Sequence, residues 1–146
     1  MLHFVKGNMF DCKVEALVNP VNCKGISGAG LALSFKLLFP KNFIEYRDAC
    51  LSKRLVIGTI FVTENKSGTP KFIVNFPTKK DWRDDSELRF IDAGLKALLA
   101  WIEENAIKSI AIPKLGCGHG HLPWSLVKEL IIVQLGRLDC NIYIYE

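Results

Sequence analysis

The sequence predicts an α/β protein in which helices cover both faces of one sheet. Short apolar segments of strand length alternate along the 146 residues with longer segments whose apolar residues recur every three or four positions. That alternation is typical of a layered sandwich. A hydrophobic content of 49% with 23% charged residues is enough to build a core, so we expect one domain spanning residues 1–146.

Strands and helices are predicted in the following order. The apolar runs predict six strands, at 2–5, 16–18, 57–62, 72–76, 109–112 and 141–145. The helical patterns between them predict four helices, at 31–39, 43–52, 86–104 and 124–138. Ser86 is the expected N-cap of the third helix. Pro40 stops the first helix, and Pro123 stands at the first turn of the fourth.

Charge, apolar runs and cysteines exclude several classes of protein. No apolar run approaches the length of a membrane span, and the N-terminus lacks the layout of a signal peptide, so we expect a cytoplasmic protein without membrane contact. The five cysteines are scattered and include no C-x-x-C pair, which argues against a disulfide framework or a structural zinc site. The net charge of +4 permits a polyanionic partner without requiring one.

A glycine-rich segment at 19–40, NPVNCKGISGAGLALSFKLLFP, runs from a strand into a helix. Its glycines let backbone amides approach a ligand closely, and the free N–H groups of a helix that begins near Ala29 favour an anion such as phosphate. The segment is neither a Walker A loop nor the G-x-G-x-x-G dinucleotide fingerprint. Taken alone, it is equally consistent with a connection that binds no ligand.

A second glycine-rich segment at 112–124, IPKLGCGHGHLPW, again joins a strand to a helix. Since ligands bind beyond the carboxyl ends of strands in such sheets, the two loops together predict a diphosphate ligand. Cys117 is a candidate nucleophile, although a cysteine between glycines is more often a packing residue. Cys117, His119 and His121 do not have the spacing of a structural zinc site, so we expect no metal.

The motifs, in this order, resemble those of the macrodomains, the ADP-ribose-binding α/β/α family. Four stretches carry the general resemblance: VKGNMF at 5–10, VNPVN at 18–22, GAGLA at 28–32 and LGCG at 115–118. Three more, NFPTK at 75–79, Trp82-Arg83 and GHLPW at 120–124, look like the DNA ADP-ribosyl glycohydrolase antitoxins of the DarG branch. That branch is kin to the terminal ADP-ribose glycohydrolases that act on proteins. The resemblance covers essentially the whole chain.

The resemblance implies a three-layer α/β/α sandwich with a central mixed sheet and a role for each matching position. Asn8 and Met9 would meet the adenine, Asn22 the distal ribose, and Lys79, after Thr78, would be the catalytic residue at an exposed strand end. The diphosphate would be held by two groups of loop residues. These are Ser27, Gly28, Ala29, Gly30 and Leu31 in the first loop, and Gly116, Cys117, Gly118, His119 and Gly120 in the second.

Three departures from the family pattern affect what can be carried over. Many members have aspartate at the position of Asn8, and the DarG branch has Met and Lys at those of Ser27 and Ala29, so one cation is missing here. In the protein-directed relatives an aspartate stands at the position of Gly120. A mechanism that needs that carboxylate does not transfer, which favours the chemistry of the DarG branch.

Three functions follow from the resemblance as hypotheses. The first is an ADP-ribosyl glycohydrolase that frees a nucleobase in DNA, without a cofactor, as the antitoxin of a DNA-modifying ADP-ribosyltransferase. The second is hydrolysis of ADP-ribosyl-glutamate or O-acyl-ADP-ribose esters, and the third is an ADP-ribose reader without activity. In the enzymes Lys79 would act either as a nucleophile on the anomeric carbon, or protonated, by assisting the leaving group or placing water. The expected partners are ADP-ribose, ADP-ribosylated DNA and a transferase toxin, and the expected state is a monomer.

Overall fold

Six strands form one sheet in the computed structural model, which describes residues 1–146. They are β1 (Leu2–Val5), β2 (Ala16–Asn22), β3 (Phe61–Glu64), β4 (Phe72–Lys79), β5 (Ser109–Ile112) and β6 (Asn141–Tyr145). Their order across the sheet is β1-β6-β5-β2-β4-β3. All neighbouring pairs are parallel except β3 with β4, so the predicted mixed sheet is confirmed.

Four helices cover the two faces of this sheet. They are α1 (Gly30–Leu38), α2 (Pro40–Leu51), α3 (Leu88–Glu104) and α4 (Trp124–Leu135), and a 3-10 turn lies at Met9–Asp11. Apolar residues of α3 and α4 pack in one core cluster with Val18, Val74 and Ile110, while Phe35 of α1 packs on the opposite face with Leu17 and Ile73. The three-layer α/β/α sandwich is therefore confirmed. None of these helices has the length and apolarity needed to cross a membrane.

Two strands run further than the sequence predicts, and both contain proline. β2 continues past residue 18 through Pro20 to Asn22, and β4 continues past residue 76 through Pro77 to Lys79. The prolines are tolerated because each strand has lost one neighbour by that point. β5 pairs with β2 only at Ala16 and Leu17, and β3 pairs with β4 only up to residue 75.

Other predicted boundaries are wrong as well. α2 begins at Pro40 instead of residue 43, and α4 ends at Leu135 instead of residue 138. The predicted strand at 57–62 is observed at Phe61–Glu64, since a turn precedes it, with Gly58 at φ +87° and the Thr59 N–H donating to Val56 O at 3.1 Å. α3 begins at Leu88 with Glu87 at the N-cap position, so Ser86 does not cap it. The Ser86 N–H instead donates to Gly120 O at 3.0 Å, which fastens this residue to the second glycine-rich loop.

A buried polar group lies between β2, β3, β4 and α2, and we call it the amide cluster: Asn19, Asn42, Thr63 and Asn75. The Asn75 amide donates to Asn42 Oδ1 at 2.8 Å and accepts from Asn19 and Asn42, each at 3.1 Å. The Thr63 hydroxyl donates to Asn42 Oδ1 at 2.7 Å. These side chains satisfy one another, leaving only Asn19 Oδ1 without a partner, and so join the sheet to α2.

Candidate active site

The carboxyl ends of β2 and β4 bring two predicted site residues side by side. Asn22 is the register partner of Lys79 in the parallel pairing of the two strands. Thr78 is buried just before the lysine, and its hydroxyl donates to Val21 O at 3.4 Å. The strand pairing alone therefore places the predicted ribose contact next to the predicted catalytic amine.

Lys79 is buried, with 8% of its surface exposed, so the expected exposed strand end is wrong. Its Nζ donates to Trp82 O at 3.1 Å and to His119 O at 3.2 Å, and it makes no ion pair with a carboxylate. An ammonium has three N–H donors, and here only two have acceptors in the protein. The third is left for a ligand, and the first two hold the amine between two loops.

Asn22 is held as firmly as the lysine. Its Nδ2 donates to Ile26 O at 2.7 Å, and its Oδ1 accepts the Lys24 N–H at 2.9 Å. The Tyr46 hydroxyl lies 2.8 Å from Asn22 O and 3.1 Å from Oδ1. Burial raises the pKa of the Tyr46 phenol, so this hydroxyl stays protonated and serves as a donor. One N–H of the Asn22 amide keeps no protein acceptor.

The two glycine-rich loops converge, as their sequences predict. A β-carbon at Gly30 would lie 3.7 Å from the His119 imidazole, which places the second loop over the first turn of α1. Gly30 adopts φ +58°, and Ala29 before it supplies no side-chain cap. The first N–H groups of α1 therefore lack side-chain partners, as an anion site requires.

The loop glycines differ in what surrounds them. A β-carbon at Gly28 or Gly118 would meet no atom within 4 Å, so both stand at an open rim. A β-carbon at Gly120 would lie 2.3 Å from Ser86 Oγ and 2.4 Å from Gly116 O, which no real contact allows. Position 120 therefore has no room for a side chain in this structure, and Ser86 fills the space.

The remaining predicted residues are less directly aimed at a ligand. Ser27 is buried, Leu31 is half-buried, and Asn8 accepts the Phe10 N–H at 3.0 Å as the cap of the 3-10 turn. The Met9 side chain is buried in the core cluster with Phe35, so an adenine contact at this position is left to its backbone or to Asn8.

The second loop supports neither a cysteine nucleophile nor a zinc site. The Cys117 thiol donates to Leu115 O at 3.4 Å, and burial raises its pKa, which disfavours the reactive thiolate. His121 turns away to Asp85, with Nδ1 and Oδ1 2.7 Å apart. No three metal-binding side chains come together anywhere in the chain.

Sequence reasoning missed the residues that support the site from behind. Tyr46 of α2 positions Asn22, Ser86 supports Gly116 and Gly120, and the Trp82 carbonyl anchors Lys79. Tyr46 and Ser86 lie outside every quoted motif. Trp82 lies in one of those motifs, but its contact with Lys79 runs through the backbone carbonyl, which the type of side chain does not reveal.

Comparisons with known proteins agree with this geometry. The Macro domain family profile matches residues 18–131. A DNA ADP-ribosyl glycohydrolase of Thermus aquaticus is 45% identical over all of this chain, and one of Mycobacterium tuberculosis is 43% identical over 98% of it. The chain spans about two fifths of the length of these relatives, 41% and 42%.

Solved structures give the same result. The macrodomain of Thermus aquaticus DarG superposes with a TM-score of 0.95 at 45% identity, covering 100% of this chain and 98% of that one. Thermosipho africanus DarTG in complex with ADP-ribose superposes with a TM-score of 0.94 at 34% identity, covering 99% of this chain and 41% of that one. With its sheet order, its converging loops and these matches, the chain belongs to the macrodomain family.

Proposed function

We propose that this chain is an ADP-ribosyl glycohydrolase that removes ADP-ribose from a nucleobase in DNA. The observation that carries the proposal is the buried amine of Lys79, fixed between two carbonyls beside Asn22 with one N–H free. A buried amine held without a carboxylate is an expensive arrangement unless it meets a ligand. The matching relatives are named for this activity.

The geometry of Lys79 serves either chemical role. The protonated amine donates two hydrogens to Trp82 O and His119 O and directs the third at the ligand, where it can assist the departing base or hold a water. The neutral amine keeps the same two bonds and directs its lone pair along the same line, as a nucleophile on the anomeric carbon requires. The two carbonyls orient the amine in both cases.

The filled space at position 120 supports a nucleobase over an ester as the leaving group. A mechanism that depends on a carboxylate there has no place for it, because Ser86 Oγ and Gly116 O already occupy the volume. Lys79, held by two carbonyls, is therefore the residue to which we assign the chemical step. Hydrolysis of ADP-ribosyl-glutamate or O-acyl esters would need a different carboxylate, and the residues around Lys79 supply none within ion-pair distance.

The biological role we propose is that of an antitoxin acting in the cytoplasm. A relative from Thermosipho africanus is a DNA ADP-ribosyl transferase-DNA ADP-ribosyl glycohydrolase fusion protein, 33% identical over 99% of this chain and 41% of its own length. That fusion supports a cognate transferase as the partner. The five free cysteines are consistent with a reducing compartment.

The test compares substrates side by side. The protein is incubated with an ADP-ribosylated DNA oligonucleotide and with a glutamate-linked ADP-ribosyl peptide, and released ADP-ribose is measured by chromatography. We expect release from the DNA. Release from the peptide alone would support the esterase, and binding of ADP-ribose without release from either would support a reader. Co-expression with a DNA ADP-ribosyltransferase should restore growth if the protein is its antitoxin.

A further inference from the structure

Trp82 is the one tryptophan of the three that the fold leaves without a partner. Trp101 packs edge-on against Phe72, with ring centroids 5.4 Å apart, and the Trp124 indole donates to Glu146 at 3.0 Å. The Trp82 side chain is 52% exposed and its indole N–H has no acceptor. Only the Arg83 guanidinium lies over its ring, 5.6 Å from the centroid.

The backbone of Trp82 touches the proposed reacting group. Its carbonyl accepts the Lys79 Nζ hydrogen bond at 3.1 Å, so the indole projects from the residue next to the catalytic amine. In a glycohydrolase the bond that breaks joins the anomeric carbon to the leaving group. Because the side chain of Trp82 belongs to the residue that holds the amine and is exposed, it is a candidate contact for the leaving group.

The loop that carries Trp82 is ordered by its own hydrogen bonds. The Arg83 guanidinium donates twice to Asp81, at 3.0 and 2.8 Å, and the Asp84 N–H donates to Asp81 O at 3.0 Å. At one end of the loop the Cys23 N–H donates to Lys80 O at 3.1 Å. The exposed indole thus sits on a fixed support, which lowers the entropy lost when a ligand stacks on it.

The surroundings of Trp82 favour stacking over attraction by charge. The Arg83 guanidinium already pairs with the Asp81 carboxylate, and its hydrogen bonds hold the pKa of that carboxyl well below the usual range. Lys24 and Lys80 are exposed nearby, but Asp84 and Asp85 stand in the same region, so its charges nearly balance. A flat apolar face beside the leaving-group position fits a heteroaromatic ring better than the flexible chain of a glutamate ester.

We propose that Trp82 is the residue that recognises the leaving group by stacking on a nucleobase of the DNA, either the modified base or its neighbour. This inference rests on the proposed function. Stacking of bases on aromatic side chains is a main source of affinity for single-stranded nucleic acid. Loss of the ring should therefore weaken the enzyme's hold on ADP-ribosylated DNA while leaving its hold on free ADP-ribose intact.

The experiment compares Trp82→Ala, Trp82→Phe and wild type on an ADP-ribosylated single-stranded oligonucleotide, on the ADP-ribosylated mononucleoside and on free ADP-ribose. For Trp82→Ala we expect KM on the oligonucleotide to rise about fivefold or more, the equivalent of about 1 kcal/mol. The kcat should fall less than KM rises, because the carbonyl that holds Lys79 belongs to the backbone and is kept. Trp82→Phe should keep the KM on the oligonucleotide close to the wild-type value. The Kd for free ADP-ribose, measured by calorimetry, should stay within about twofold for both variants.

The outcomes separate the inference from the proposed function. A rise in KM on the mononucleoside as well assigns the stacking to the modified base, and a rise on the oligonucleotide alone assigns it to the neighbour; both support the inference. An unchanged KM on both DNA substrates, or an equal loss of free ADP-ribose binding, overturns it. If wild type shows no turnover on DNA, the proposed function is wrong. The effect of Trp82→Ala on the Kd for the oligonucleotide, compared with its effect on the Kd for free ADP-ribose, then tests the role of Trp82.

Discussion

The amide cluster and the active-site strand ends are both buried polar regions, and they lie on the same two strands. Asn19 and Asn75 are register partners, as are Asn22 and Lys79 a few residues further along. In the amide cluster, side chains bond chiefly to one another. At the strand ends, Asn22 and Lys79 bond mainly to loop carbonyls and amides instead. The partners of a buried polar group, rather than its burial, therefore distinguish a structural role from a functional one.

Among changes at the candidate site, Gly28→Glu should have the largest effect, and it should act on the binding of ADP-ribose. A β-carbon at Gly28 meets no atom within 4 Å, so the protein should fold normally. The new carboxylate would stand where we expect the diphosphate, at the α1 N-terminus, and would repel it. We expect no measurable binding of ADP-ribose by calorimetry, with an unchanged melting temperature. Normal binding by Gly28→Glu would show that the first loop does not hold the diphosphate.

Lys79→Ala should separate chemistry from binding. We expect turnover on ADP-ribosylated DNA to fall by about two orders of magnitude or more, the usual scale for losing a proton-transfer group. Binding of ADP-ribose should persist, because we expect the backbone amides of the two loops to hold the diphosphate. Two hydrogen bonds to carbonyls are lost, at a cost of about 1–2 kcal/mol of stability, rather than the near-zero cost of an exposed residue.

The neighbouring lysine is the matched control for Lys79→Ala. Lys80 is exposed, and its Nζ lies over the Phe90 ring, 5.9 Å from the centroid, whereas the two carbonyls bond Lys79. Lys80→Ala should keep most of the wild-type turnover. Loss of activity in Lys80→Ala with full activity in Lys79→Ala would move the catalytic role to the other lysine.

Asn75→Ala tests how much the amide cluster contributes to stability. It removes an amide that bonds Asn19, Asn42 and Phe61 O and leaves buried partners unsatisfied, so we expect a loss of about 3 kcal/mol and a melting temperature lower by about 10 °C. Turnover per folded molecule should change little at low temperature. Asn141→Ala, in an exposed strand position, is the control and should cost less than about 0.5 kcal/mol.

Chelation should have the smallest effect. Turnover in EDTA should equal turnover without it, because the structure brings no three metal-binding side chains together. Loss of activity in EDTA that zinc restores would show that Cys117, His119 and His121 come together once the substrate binds.

The sequence predicts most of the fold because its strands and helices keep a strong period. Prediction from the sequence fails where contacts with distant parts of the chain decide the boundaries of an element. The strands predicted at 16–18 and 72–76 continue through Pro20 and Pro77, because at each proline one edge of the strand has no paired neighbour. Ser86 reads as a helix cap, yet its N–H is used by Gly120.

The candidate site was predictable as far as its motifs extend. The two loops and the neighbourhood of Lys79 follow from the order of motifs on parallel strands. The burial of Lys79 does not, because the carbonyls that enclose its amine belong to Trp82 and to the distant His119. Tyr46 likewise bonds Asn22 although the two residues are 24 positions apart, and local sequence patterns do not predict such a contact.

The occupied space beside Gly120 has a consequence for how this family can diversify. Ser86 Oγ and a β-carbon at position 120 exclude each other, so the two positions should vary together among related sequences. A β-carbon at 120 would also lie 2.4 Å from Gly116 O, so a smaller residue at 86 does not by itself make room for a carboxylate. A site of this kind can gain an acid at 120 only if the backbone around Gly116 shifts as well.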